Sequence, residues 1–207
     1  MVVVLVAVLG GVFALIGTSG SKKSGSTTVA AGTLGPEQIP FESGTPLAGL
    51  SSSVTGQTLN GIECGSTEQL AYHIHARLTI YDNGVLAPVP SGIGIIQPVI
   101  QGSGPQAFAA RATKCFYWLH THAQDGVLHV ESPTTKLYPL SDVFAIWGQP
   151  LSSTQVGPAK GTVTAYVNGK KFTGDPQTIT LAAREDIQLD IGTDVPPVTI
   201  DWSKSGL

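Results

Sequence analysis

Charge is scarce in this chain. Asp, Glu, Lys and Arg together make up 12% of its 207 residues, about half the roughly 25% of an ordinary soluble domain. That shortage excludes a coiled coil and a charged disordered tail, both of which depend on charged repeats. Eleven Lys and Arg stand against 14 Asp and Glu, for a net charge of -3. No basic patch is there to displace counterions from a phosphate backbone, so nucleic acid is excluded as a partner. The single methionine is Met1, which leaves no axial thioether for a blue-copper site. No GxSxG nucleophile elbow occurs. Ser91-Gly92-Ile93-Gly94 is too short for a phosphate loop and has no helix signal after it. The acidic bias of Asp186, Asp190, Asp194 and Asp201 lacks a calcium-loop spacing and reads as a solvated face.

The one long apolar run lies at the start. Residues 1–17 carry no charge and read as a membrane anchor or an assembly segment, at the short end for a bilayer span. A signal-peptide core is the other reading, with Ala14-Leu15-Ile16-Gly17-Thr18-Ser19-Gly20 as a weak processing site. No basic residue precedes the run, whereas Lys22 and Lys23 follow it, against the usual outward orientation. A start codon further upstream would restore a basic leader. The glutamate that type IV pilins carry early in such a run is absent. Residues 18–55, rich in Ser, Gly and Pro, read as a linker or extended arm, and residues 56–207 as the folded domain. Cys64 and Cys115 are the only cysteines. An even count behind an export-type segment predicts one disulfide, worth about 4 kcal/mol across so long a loop.

The pattern within 56–207 is that of strands. From Tyr72 to Asp82, His73, His75, Arg77, Thr79 and Tyr81 alternate with Ile74, Ala76, Leu78 and Ile80, and Asn83-Gly84 supplies a type I′ turn into a return strand Val85–Val89. Further strands are expected at Cys115–His120, Val127–Glu131, Gly161–Val167, Gln177–Leu181 and Ile187–Ile191, with a second hairpin turn at Asn168-Gly169. One helix is expected at Leu140–Trp147, with Ser141 as candidate N-cap and Gly148 as the stop. The fold class is therefore all-β, an antiparallel sandwich or barrel with one short helix, preceded by the apolar segment. Leu78–Gly84 and Val163–Gly169 echo one another; the same hairpin grammar arising twice accounts for this more readily than a duplicated half, and the histidines are not repeated.

Against this neutral background the five histidines form a cluster: His73, His75, His120, His122 and His129. Residues i and i+2 of a strand point to one face, about 6.6 Å apart along the chain. Two H-x-H pairs and the pair His129/Glu131 can thus converge on one region if their strands are neighbours. Neutral imidazole is the commonest ligand of copper and zinc. With blue copper set aside, a type-2 copper or a zinc ion is the expected cofactor. Asp125 and Glu131 are the carboxylates placed to orient an imidazole or to act as a base.

The run Cys115-Phe-Tyr-Trp-Leu-His120-Thr-His122-Ala-Gln-Asp125-Gly126-Val-Leu-His129-Val-Glu131, following His73-Ile-His75, resembles a family of uncharacterised exported bacterial proteins with H-x-H and C-x-x-W-x-H-T-H-x-x-x-G-x-x-H-x-E motifs. The likeness covers about residues 60–195 and implies export and a histidine site, without naming a reaction. The H-x-H arrangement with a later His is also similar to the zinc ligands of α-type carbonic anhydrases, as a geometric analogy. The expectation is an exported, membrane-tethered metal-binding β-domain at the cell surface or otherwise outside the cytoplasm. The alternative is a structural subunit of an extracellular filament or an accessory subunit of a membrane complex, whose arm could complete a neighbour's sheet. A zinc-dependent hydrolase or lyase, with Glu131 as base, is a third reading.

Overall fold

A computed structural model describes residues 27–28 and 32–207; the apolar segment expected at 1–17 lies outside the described residues. The elements follow in the order β1 (Thr27–Thr28), β2 (Cys64–Gly65), β3 (Tyr72–Asp82), β4 (Val85–Leu86), β5 (Ile95–Gln101), β6 (Phe108–Tyr117), β7 (Leu119–His120), β8 (Val127–Ser132), α1 (Leu140–Trp147), β9 (Leu151–Ser152), β10 (Gln155–Val156), β11 (Ala159–Lys160), β12 (Val163–Val167), β13 (Lys170–Phe172), β14 (Glu185–Ile191) and β15 (Val198–Thr199). The class is all-β with one short helix. Its sheets stay open and do not close into a barrel.

The main sheet runs β13-β12-β14-β3-β8-β7, with β4 folded back on β3. The alternation of β3 divides it into two faces. Ala76, Leu78 and Ile80 are fully buried on one side, where Leu128 and Val130 of β8, Ile187 and Leu189 of β14, and Phe144 and Trp147 of α1 join them in one apolar core. The other face is polar: His73, His75, Arg77 and Thr79 of β3 stand beside His129 and Glu131 of β8 and Asp186, Gln188 and Asp190 of β14. Asn83 and Gly84 both take positive φ, 50° and 82°, as a type I′ turn requires. Helix α1 ends on Gly148 in the left-handed conformation, whose N–H bonds back to Ala145 and Phe144.

Chain segments from both ends of the described fold cover the polar face. Ile39 and Trp202 pack on Val127 of β8, with Ile200 and Leu207 beside them. Gly206 N–H donates to Glu37 O (2.9 Å), and Glu42 N–H donates to Gln124 O (2.7 Å). Glu42 accepts from the buried Arg77 at 2.6 Å. Part of the region read as linker is thus laid against the sheet. Among the described residues, no helix is long and apolar enough to cross a membrane.

Several expectations are corrected. The sheet is not wholly antiparallel: β14 runs parallel to β3, and β1 to β15. Strands β3 and β14 are far apart in sequence, so no tight turn dictates their relative direction. The strand expected at Cys115–His120 breaks at Trp118, whose carbonyl accepts from Glu131 N–H at 2.7 Å. Gln177–Leu181 is no strand; Pro176–Thr178 forms a 3₁₀ turn capped by the Asp175 side chain. The N-cap of α1 is Pro139, with Ser141 already inside the helix. Asp186 and Asp190 are buried, not solvated. Asp186 accepts from Trp202 Nε1 (3.2 Å), and Asp190 from Val195 N–H (2.8 Å).

Candidate metal centre

The register of three neighbouring strands assembles the site. His75 of β3 lies opposite His129 of β8, which lies opposite His120 of β7, so three imidazoles form a row across the sheet. One step along, His73 faces Glu131. Because side chains repeat every second residue, all of these project to the polar face while their neighbours fill the core. His122 follows just beyond β7. Its intervening residue Thr121 is held by Pro90 O, which accepts from its hydroxyl at 2.8 Å, and by Ile93 N–H, which donates to the same hydroxyl at 3.1 Å.

The orientation of the second pair is fixed by the backbone. His120 Nδ1 donates to Tyr117 O at 2.9 Å, and His122 Nδ1 donates to Ala109 O at 2.7 Å. A carbonyl oxygen only accepts, so each Nδ1 carries the proton and each neutral ring presents its Nε2 lone pair inward. Those two Nε2 atoms are 3.2 Å apart. In the first pair, His73 Nε2 and His75 Nε2 are 3.0 Å apart. Two ligands on a tetrahedral zinc at about 2.05 Å would be about 3.3 Å apart, so both pairs have the spacing of ligands on one ion.

Glu131 lies between them. Its Oε1 is 3.1 Å from His73 Nε2, 3.7 Å from His120 Nε2 and 3.2 Å from His129 Nδ1. Its other oxygen is buried with no hydrogen-bond partner among the described residues. Two overlapping groups result, His73, His75, His129 and Glu131, and His120, His122, His129 and Glu131, each with its ligand atoms within 4.8 Å of one another. The chain therefore contains a histidine–glutamate cluster that could hold a metal ion.

The electrostatics suit a cation. Burial, followed by the neighbouring His129 and His73, pushes the His75 imidazole down to about 3. Burial and then His129 likewise hold His120 well below its ordinary value and lower His122. These rings remain neutral and keep their lone pairs free. His129 goes the other way. Burial would lower it, but the Glu131 and Glu37 carboxylates on either side outweigh that and raise it to about 9. The two carboxylates thus favour the protonated form of this ring, and a bound cation would have to take that proton's place. Burial also works against the Glu37 carboxylate, but His129 holds it below its ordinary value. Burial, then Glu131, raises Glu68.

Two further carboxylates, Glu37 and Glu68, border the cluster without any signal in the sequence. Glu37 Oε1 is 2.9 Å from His129 Nε2, off the line of a hydrogen bond, so the contact is an ion pair. Glu68 Oε1 is 3.5 Å from His122 Nε2 and 4.0 Å from His120 Nε2. Both sit in irregular segments with no local motif; only the folded chain brings them here. The predicted Asp125 has a different setting. Its Oδ1 accepts from Val127 N–H at 2.9 Å and so caps the turn into β8. Among the described residues, no hydrogen bond or ion pair joins its carboxylate to an imidazole.

Cys64 and Cys115 form the expected disulfide, with Cα atoms 5.3 Å apart. It ties β2, and the Glu68 loop that follows, to the strand that leads into His120. Comparison with family models, curated proteins and solved structures finds no match for the chain.

Proposed function

We propose that this protein is an exported metal-binding β-domain, tethered to the membrane through residues 1–17, whose histidine–glutamate cluster takes up type-2 copper or zinc. The observation that carries the reading is the pair of inward-facing Nε2 atoms on His120 and His122, 3.2 Å apart, with both Nδ1 atoms committed to backbone carbonyls. Two lone pairs so close repel one another unless a proton or a cation lies between them. Among the described residues, a buried carboxylate oxygen on Glu131 has no donor to satisfy it, and leaving such a group unpaired costs about 1–3 kcal/mol or more. Imidazole nitrogens with a carboxylate oxygen suit copper or zinc better than calcium or magnesium, which favour all-oxygen sites.

The disulfide supports an oxidising compartment. The resemblance of the C-x-x-W-x-H-T-H run to exported bacterial proteins agrees with that placement. Protein purified without an affinity tag and analysed for elemental content is expected to carry copper or zinc in stoichiometric amount. The His120→Ala/His122→Ala variant is expected to lose at least half of it. Native protein free of metal, with no uptake of either ion on titration, rules the reading out.

A further inference from the structure

The cluster holds more ligands than a single ion needs, and they are divided in space. His73 and His75 belong to one group of mutually close ligand atoms and His120 and His122 to the other; among the described residues no group contains both pairs. Ligands of one ion at about 2.1 Å can be no more than about 4.2 Å apart, so the two pairs do not enter one coordination sphere. Each pair nevertheless has chelating geometry of its own, at 3.0 Å and 3.2 Å between Nε2 atoms. We infer that the centre holds two divalent ions, one on His73/His75 and one on His120/His122, with the Glu131 carboxylate shared between them.

This rests on the metal-binding reading and adds the number and coupling of the ions. Glu131 is placed for a bridge. Its Oε1 is within 3.1 Å of a nitrogen of one pair and 3.7 Å of a nitrogen of the other, and its Oε2 is buried without a partner among the described residues. Glu68 approaches only the second pair, at 3.5 Å from His122 Nε2, and offers that ion a carboxylate of its own. His129 is common to both groups. Carboxylate-linked ions in such pairs stand about 3.5–4 Å apart, a spacing at which both can engage one oxyanion.

The two sites differ in access. The His73 side chain is 38% exposed, whereas His120 is 1% and His122 9% exposed. The ion on His73/His75 therefore faces solvent, and the other lies behind it. A chelator should strip them in two phases, the outer ion first.

The test uses the full chain, stripped of metal, titrated with Zn(II) alone and in parallel with Cu(II) alone, with bound metal counted after desalting. Two ions per chain are expected in the wild type, and one in His73→Ala/His75→Ala, with loss of the fast phase of chelation. One ion is expected in His120→Ala/His122→Ala; if circular dichroism shows that this variant is unfolded, the count in the half-exposed His73→Ala/His75→Ala variant decides the matter. With Cu(II), the second equivalent should attenuate the paramagnetic resonance signal of the first through coupling. A wild-type count of one, or a His73→Ala/His75→Ala count other than one, overturns the two-ion centre and leaves the metal reading intact. A wild-type count of zero overturns both.

Discussion

Asp125 is fully buried, and among the described residues only one of its carboxylate oxygens has a hydrogen-bond partner, the Val127 N–H at 2.9 Å. Burial, with the Glu37 carboxylate adding to it, raises the group from 3.8 to about 7. The sign follows from proton linkage. A group whose folded pKa lies above its unfolded one binds its proton more tightly in the fold. Its contribution to stability is therefore complete below about 4 and is lost as pH rises through about 7. Asp125→Asn keeps an oxygen for Val127 and carries no charge at any pH. Urea unfolding at pH 5, 6, 7 and 8 should show wild-type stability falling relative to the variant, at up to ~1.4 kcal/mol per pH unit. Parallel profiles would mean that Asp125 does not titrate in this range.

At the scale of the element, the position of β7 depends on its neighbours. Gly94 has φ +71°, and a Cβ there would collide with Leu119 O and lie 3.0 Å from the Cβ of His120. Gly94→Ala is therefore expected to cost more than about 1 kcal/mol and to displace His120, so metal content should fall along with the melting temperature. The Cys64–Cys115 disulfide ties β2 to β6, the strand that leads into β7. Removing it by Cys64→Ser/Cys115→Ser should lower unfolding stability by about 4 kcal/mol, read from denaturant midpoints of oxidised wild type and variant.

How far these elements could be read in advance depended on local pattern. Strand β3 and helix α1 have the bounds expected from sequence, because an eleven-residue alternation and a Gly stop are signals contained within the segments themselves. The hairpin of β5 and β6 left no such signal. Gln97 takes φ +55° and is skipped in the pairing, and the register slips twice, so the apolar residues never settle into a period of two. The five histidines announced themselves through their i, i+2 spacing. Glu37, Glu42 and Glu68 did not, because a carboxylate in a polar loop looks solvated until the chain packs it against a partner.

For the whole molecule, the segment bearing Glu37 and Glu42 closes the sheet's polar side. Arg77 is 2% exposed, and its charge is met by Glu42 at 2.6 Å, with Asp186 more distant at 4.0 Å. Glu42→Ala leaves that guanidinium buried beside a single distant carboxylate. The expected loss is about 3–5 kcal/mol of unfolding stability, larger than for any exposed carboxylate of the same chain, and it is measured by urea denaturation. A loss below about 1 kcal/mol would mean that the segment contributes little to holding the fold together.

The row formed by His75, His129 and His120 exists only because three strands meet in one register. A slip of β8 by one residue would turn His129 and Glu131 into the core and bring Leu128 and Val130 to the surface. A slip by two would keep the faces but offer the wrong partners to each imidazole. Under the proposed function, metal content would therefore record correct strand alignment, chain by chain. Misregistered molecules would emerge from folding empty, and a population could be sorted on that basis. For the same reason, single-residue insertions in β3 or β8 should be far less tolerable than point substitutions at the rim of the site.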